Sequence, residues 1–194
     1  MFVVTGMERA GSTFVWQVAK EFGNTTKVHG FYTPANNMIA LATYRDPRDA
    51  ICSYAGAFDI TLEEAFITLF VQRKRHLQLL QARYFSGQHH LIRYEDYFGG
   101  NEAQLVKRIA ELVRADLSEE QANNIAVKHS IKENKKIADT FTSFKEHDKK
   151  TQIHGRHITN NGKIGTWKAR FPDALTARVN SYLMAMLIAF NYEE

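Results

Sequence analysis

Phe2-Val3-Val4-Thr5-Gly6-Met7-Glu8-Arg9-Ala10-Gly11-Ser12-Thr13-Phe14-Val15-Trp16-Gln17-Val18-Ala19 lies at the start of the 194-residue sequence. The apolar run Phe2-Val3-Val4-Thr5 reads as a short buried strand, Gly6 and Gly11 bracket a turn, and the periodic apolar residues that follow read as a helix. Strand, glycine turn and helix in that order are the setting of a phosphate-binding P-loop. The glycine spacing matches G-x-x-x-x-G-K-[ST], yet Ser12 stands at the lysine position and Thr13 at the hydroxyl position. Backbone N–H groups at such a helix start are unpaired donors at the positive end of the helix dipole, so they can cradle an anion without that lysine. Arg9 can supply the missing cation. Taken alone, the motif also admits a plain tight turn with no ligand.

Working outward, Thr26-Lys27-Val28-His29 reads as a second strand and Met38-Ile39-Ala40-Leu41-Ala42-Thr43-Tyr44 as a third, buried on both faces. Strands alternating with helices predict an α/β fold, a P-loop NTPase-like three-layer sandwich. Its central, mostly parallel sheet of about four to five strands is flanked by helices, in a single domain over residues 1–194. Arg45-Asp46-Pro47-Arg48-Asp49 marks a second helix start: Asp46 is the cap, Pro47 suits the first position and Asp49 falls three residues after the cap. Arg45 and Ser53, eight residues apart, offer a second anion site. An Arg45–Asp49 salt bridge, with Ser53 bonded back to its own helix, is the structural alternative.

The amphipathic pattern over residues 61–86 predicts one long helix, opened by Thr61 and closed before Gly87, with Arg73-Lys74-Arg75-His76 on a solvated face. A fourth strand is expected over His90–Tyr94, and helices over Glu102–Arg114, Ser118–His129 and Pro172–Asn191. Ser130–Thr166 is polar and weakly periodic, which predicts a mobile loop able to fold over a ligand.

Composition narrows the function classes. Twenty-five Lys and Arg against 21 Asp and Glu give a net charge of +4, which suits an anionic ligand. No arginine-rich run or aromatic-basic repeat points to nucleic acid. Cys52 is the one cysteine, which excludes an internal disulfide and a cysteine metal cluster and fits a reducing, cytoplasmic setting. The most apolar segment, Tyr182–Phe190, is about half of the ~20 residues a membrane span requires, so a core helix is expected and no membrane association.

With both anion signatures placed, the chain resembles the P-loop sulfotransferases that use 3'-phosphoadenosine 5'-phosphosulfate (PAPS), from the first strand to Phe171. The resemblance implies that Arg9, Ala10, Gly11, Ser12, Thr13 and Phe14 hold the 5'-phosphosulfate, with Arg9 where a lysine is usual. It assigns His29 as general base and Lys27 as a cation beside the leaving oxygen, so that Arg9, Lys27 and His29 form the catalytic set. Arg45 and Ser53 are implied at the 3'-phosphate and Tyr94, in Arg93-Tyr94-Glu95-Asp96, at the adenine. His129 and Ile131 fall on the adenine-side segment, Ile131 standing where an aromatic is common. Asn161, Gly162 and Lys163 open the C-terminal signature that ends at Phe171, and Trp167 within it is a candidate cover for the nucleotide.

The basic pair usual before that glycine is Asn160-Asn161 here, with Arg156 or Lys163 as possible replacements. The implied donor is PAPS, the product adenosine 3',5'-bisphosphate (PAP), and no metal is required. The acceptor is a hydroxyl or amine on a small molecule or glycan, and the oligomeric state stays open. Two other functions fit less of the sequence. A P-loop small-molecule kinase would need magnesium, a cation in place of the lysine and a Walker B aspartate; a nucleotide-binding protein without catalysis would not need Lys27 and His29.

Overall fold

Four short segments pair side by side: β1 (Phe2–Gly6), β2 (Thr25–Lys27), β3 (Ile39–Tyr44) and β4 (His89–Arg93) form one parallel sheet in the order β2-β1-β3-β4. In this computed structural model, residues 1–30, 35, 37–84, 89–159 and 161–193 are described. Phe2 lies opposite both Thr25 and Ile39, and Ala40 opposite His89. Side chains alternate across a strand, so Phe2, Val4, Leu41 and Ile92 face one layer, α1 (Ser12–Lys20) and the pair α6 (Glu102–Glu111) and α7 (Glu119–Lys128). The opposite layer is built on α2 (Pro47–Phe58), α4 (Arg75–Tyr84) and α10 (Asp173–Ala189), with Ile51, Phe66, Phe70, Leu79, Leu183 and Phe190 at its centre. The expected three-layer α/β architecture follows from these two cores.

Local chemistry sets most boundaries. Asp46 accepts the Arg48 N–H at 2.9 Å, and Pro47 occupies the first turn of α2 as expected. The second strand is shorter than its apolar pattern, ending at Lys27, which leaves His29 beyond the sheet edge. β4 stops at Arg93, and Tyr94 instead opens the one-turn helix α5 (Tyr94–Tyr97).

Two expectations are corrected. The long helix over residues 61–86 is broken: α3 (Leu62–Phe66) starts in a Thr61–Glu64 capping box, widens into a π-helical stretch at Ile67–Gln72, and ends before α4 begins at Arg75. At the break Lys74 has φ 51°, a left-handed backbone through which a right-handed helix cannot continue. Residues 85–87, the expected end, lie outside the described residues. The solvated face holds only for Arg73 and Lys74, which are exposed; Arg73 and Arg75 both bond to Glu8 and His76 is buried.

Residues 130–166 are not one loop. They include α8 (Ile131–Ala138), capped by Ser130, and an antiparallel pair β5 (His147–Asp148) and β6 (Ile153–His154). The hairpin turn is fastened by Asp148, which accepts both the N–H and the hydroxyl of Thr151. The segment is held on α1 where Gln17 and Asn134 exchange amide hydrogen bonds at 3.0 and 2.9 Å and Gln17 also donates to the Thr151 carbonyl. Elements this short give too few residues for a periodic signal. The last helices are α9 (Trp167–Arg170) and α10, and among the described residues no helix is long and apolar enough to cross a membrane.

Candidate nucleotide and transfer site

The loop after β1 passes so close to β3 that a Cβ at Gly6 would stand 2.2 Å from the Thr43 carbonyl oxygen. Gly11, at φ +78°, caps α1; a Cβ there would stand 2.6 Å from the Phe98 ring. Both positions therefore demand glycine. Gly11 has no side chain to satisfy the first turn of α1, so the N–H groups there remain open to an anion.

Cations converge on that turn. Arg9 donates from Nε to Ser53 Oγ at 3.0 Å and from Nη2 to the His157 carbonyl. Burial, reinforced by the neighbouring Arg45 charge, pulls its pKa down to about 10, so it stays charged at neutral pH. Lys27 Nζ donates to Thr13 Oγ1 at 2.6 Å; burial and then the Arg9 charge bring it down to about 8. His29 is solvent-exposed as a residue, two positions beyond Lys27. Crowding by protein around the ring, and then the Lys27 charge, lower its pKa, while Glu8 opposes the shift.

The second anion signature points into the same region. Arg45 is 2% exposed, donates to the Lys163 carbonyl at 2.6 Å, lies 3.5 Å from Asp49 and stacks 4.1 Å above the Tyr94 ring. Its buried Nε has no hydrogen-bond partner among the described residues, and a buried donor of this kind calls for a partner. The Arg45–Asp49 pair anticipated as a structural alternative thus exists and still leaves a donor free. Asp49 also accepts from Gly165 N, Thr166 Oγ1 and Trp167 N, which ties the C-terminal signature to the start of α2. Tyr94 stacks on Phe98 and donates to the Gly162 carbonyl at 3.0 Å.

Two cavities result. Among the residues lining the first are Arg9, Gly11, Thr13, Phe14, Arg45 and Ser53, together with Tyr94, His129, Ile131 and Gly162. The second contains Ser12, Lys27 and His29 against Glu8, Arg73 and Arg75, facing an aromatic wall of Tyr54, Phe58 and Phe144. Arg9, Gly11, Thr13 and His157 border both. The anticipated site residues thus gather in one place, with a few exceptions. Ala10 is buried beneath the loop; Asn161 and the Lys163 side chain are exposed and line neither cavity, Lys163 contributing its carbonyl to Arg45 instead. Arg156 pairs with Asp59 at 3.3 Å, and Asn160 lies outside the described residues. His129 reaches the first cavity with its ring bonded to Glu21 at 2.7 Å.

Trp167 does not cover the nucleotide cavity: its ring stacks on Arg48 at 3.9 Å, in a separate cleft with Arg93 and Tyr192. Sequence reasoning missed Phe98, Phe144, His154 and His157. The last three lie in the segment taken for a loop, and only the concentration of aromatic and imidazole side chains there, unusual in a polar stretch, signalled them.

A family model of the sulfotransferase domain matches residues 28–189. No curated sequence matches the chain. Among solved structures, retinol dehydratase in complex with androsterone and the inactive cofactor PAP superposes with a TM-score of 0.73 at 14% identity, over 96% of this chain and 80% of that one. Mouse sulfotransferase SULT7A1 complexed with PAP gives 0.69 at 15% identity, over 96% and 83%. At these identities the two structures establish a shared fold.

Proposed function

We propose, for a chain that belongs to the sulfotransferase domain family, that the first cavity binds PAPS, the second an acceptor, and that a sulfuryl group passes between them in line. The observation that carries this reading is the shared border: Arg9, Gly11, Thr13 and His157 face both cavities, so a group bound at the loop lies within reach of either. Both structural neighbours carry PAP, and the cavity here fits such a molecule chemically. Open N–H groups and Arg9 stand at one anion site and Arg45 at the other, and aromatic or apolar Tyr94, Phe98 and Ile131 line the same cavity.

The donor supplies an activated sulfuryl group and a phosphate leaving group; the protein supplies position and charge. Arg9, Lys27, Thr13 and the loop N–H groups stabilise negative charge growing on the leaving oxygen. His29, kept neutral at neutral pH by its lowered pKa, accepts the proton of the acceptor hydroxyl or amine. The second cavity, with about 950 Å3 of free space including its open mouth, admits a small molecule or a sugar unit, its apolar face against Tyr54, Phe58 and Phe144.

Thermal stability tests the donor assignment. PAP without metal is expected to raise the melting temperature, and adenosine 5'-monophosphate, lacking the 3'-phosphate, to do so far less. Equal stabilisation by ATP with magnesium would transfer the chain to the kinase reading.

A further inference from the structure

We propose that His157 is a positioning residue of the 5'-phosphate site: its Nε2–H, donated to Thr13 Oγ1, leaves the Thr13 hydroxyl proton as the group directed at the bound anion. The inference rests on the donor assignment above and goes beyond it to a residue that assignment does not use.

A threonine hydroxyl has two acceptor lone pairs and one proton. Lys27 Nζ fills one lone pair of the buried Thr13 oxygen at 2.6 Å, and His157 Nε2 faces it at 3.3 Å. The other ring nitrogen, Nδ1, accepts the His154 N–H at 3.5 Å, which puts the ring proton on Nε2. Burial, then the charges of Arg9 and Lys27 with smaller contributions from His154 and His29, hold the His157 pKa well below its usual value. A charged ring would set an Nδ1–H against the His154 N–H. Both Thr13 lone pairs are thus occupied from the protein side, and among the described residues its proton has no other acceptor. That proton sits in the first turn of α1, where the open N–H groups also point.

His157 fixes a second anion ligand by another route, since its main-chain carbonyl receives Arg9 Nη2. Side-chain replacement leaves that carbonyl in place, so the two contributions separate experimentally.

Isothermal titration with PAP and with adenosine 3'-monophosphate, which lacks the 5'-phosphate, provides the test on wild type, His157→Ala, His157→Gln, Thr13→Val and the double variant His157→Ala/Thr13→Val. His157→Ala is expected to weaken PAP about tenfold, the scale of one hydrogen bond to a charged group, and to change 3'-monophosphate affinity less than about twofold. Glutamine, whose amide nitrogen reaches the same hydroxyl, should recover PAP affinity to within about threefold. In the Thr13→Val background the alanine change should add nothing, because the two residues act as one unit. Three results overturn the proposal: unchanged PAP affinity in His157→Ala, equal losses for both nucleotides, or additive losses in the double variant. If wild type binds the two nucleotides alike, the donor assignment itself falls, and this inference with it.

Discussion

Lys27 and His29 sit two residues apart, yet their lowered pKa values act in opposite directions on function. Lys27 assists an anion only while protonated, and its value of about 8 means the free protein loses that charge as pH rises through 8. PAP affinity should therefore weaken above pH 8, where the phosphates of PAP are already fully ionised, approaching tenfold per unit if the bound state requires the proton. His29 must be neutral to accept a proton, so its depressed pKa keeps kcat/KM intact below the usual imidazole range, with loss only as pH falls through the lowered value. Titration of PAP from pH 8 to 9.5 checks the first limb; affinity unchanged across that span would remove Lys27 from the anion site. His29→Ala should cut turnover ~100- to 10,000-fold while leaving PAP affinity within about twofold, because a general base acts on the acceptor rather than the donor. Lys27 and His29 could be singled out in the sequence through the resemblance to the sulfotransferases, which marks a lysine and a histidine two residues apart at the second strand. His157 could not, since nothing local distinguishes an imidazole that meets Thr13 from across the chain.

The start of α2 is the element on which both anion sites depend. Asp49, fully buried, accepts three hydrogen bonds from residues 165–167 and faces Arg45, so one carboxylate orients the arginine and anchors the segment whose carbonyl Arg45 grips. Asp49→Asn keeps the shape and removes the charge. It should destabilise the protein by ~2–4 kcal/mol, since hydrogen bonds to a buried charge weaken and Arg45 loses its counter-ion. PAP should bind more weakly in the same variant. A urea midpoint within error of wild type would mean the 165–167 turn is held by other contacts. This helix start was visible in the sequence because capping is local chemistry: Asp46, Pro47 and Asp49 declare it within four residues. The break at Lys74 was hidden for the converse reason. Arg73 and Arg75 are drawn to Glu8 of the distant loop, and a pattern read along one helix carries no information about that partner.

At the scale of the molecule, alternating strands and helices announced a parallel sheet, and a loop over residues 130–166 able to reach a ligand, but not the helix and hairpin that hold this segment on α1. Polar contacts distant in sequence help to hold it there, Gln17 with Asn134 and Thr151 and Arg9 with His157, and these leave no hydrophobic period to read. This packing makes a collective prediction. A nucleotide spanning both anion sites would touch the loop at residues 6–13, the start of α2 and the segment 153–167 at once, and a ligand that binds only the folded form at ~100 times its Kd stabilises by ~2.7 kcal/mol. Amide exchange measured with and without PAP should therefore slow in all three segments together. A one-ended ligand such as inorganic pyrophosphate should protect residues 6–13 and leave residues 163–167 nearly unchanged. If PAP also protected only residues 6–13, the Arg45 pocket would not belong to the nucleotide site, and its unpartnered Nε would require another ligand.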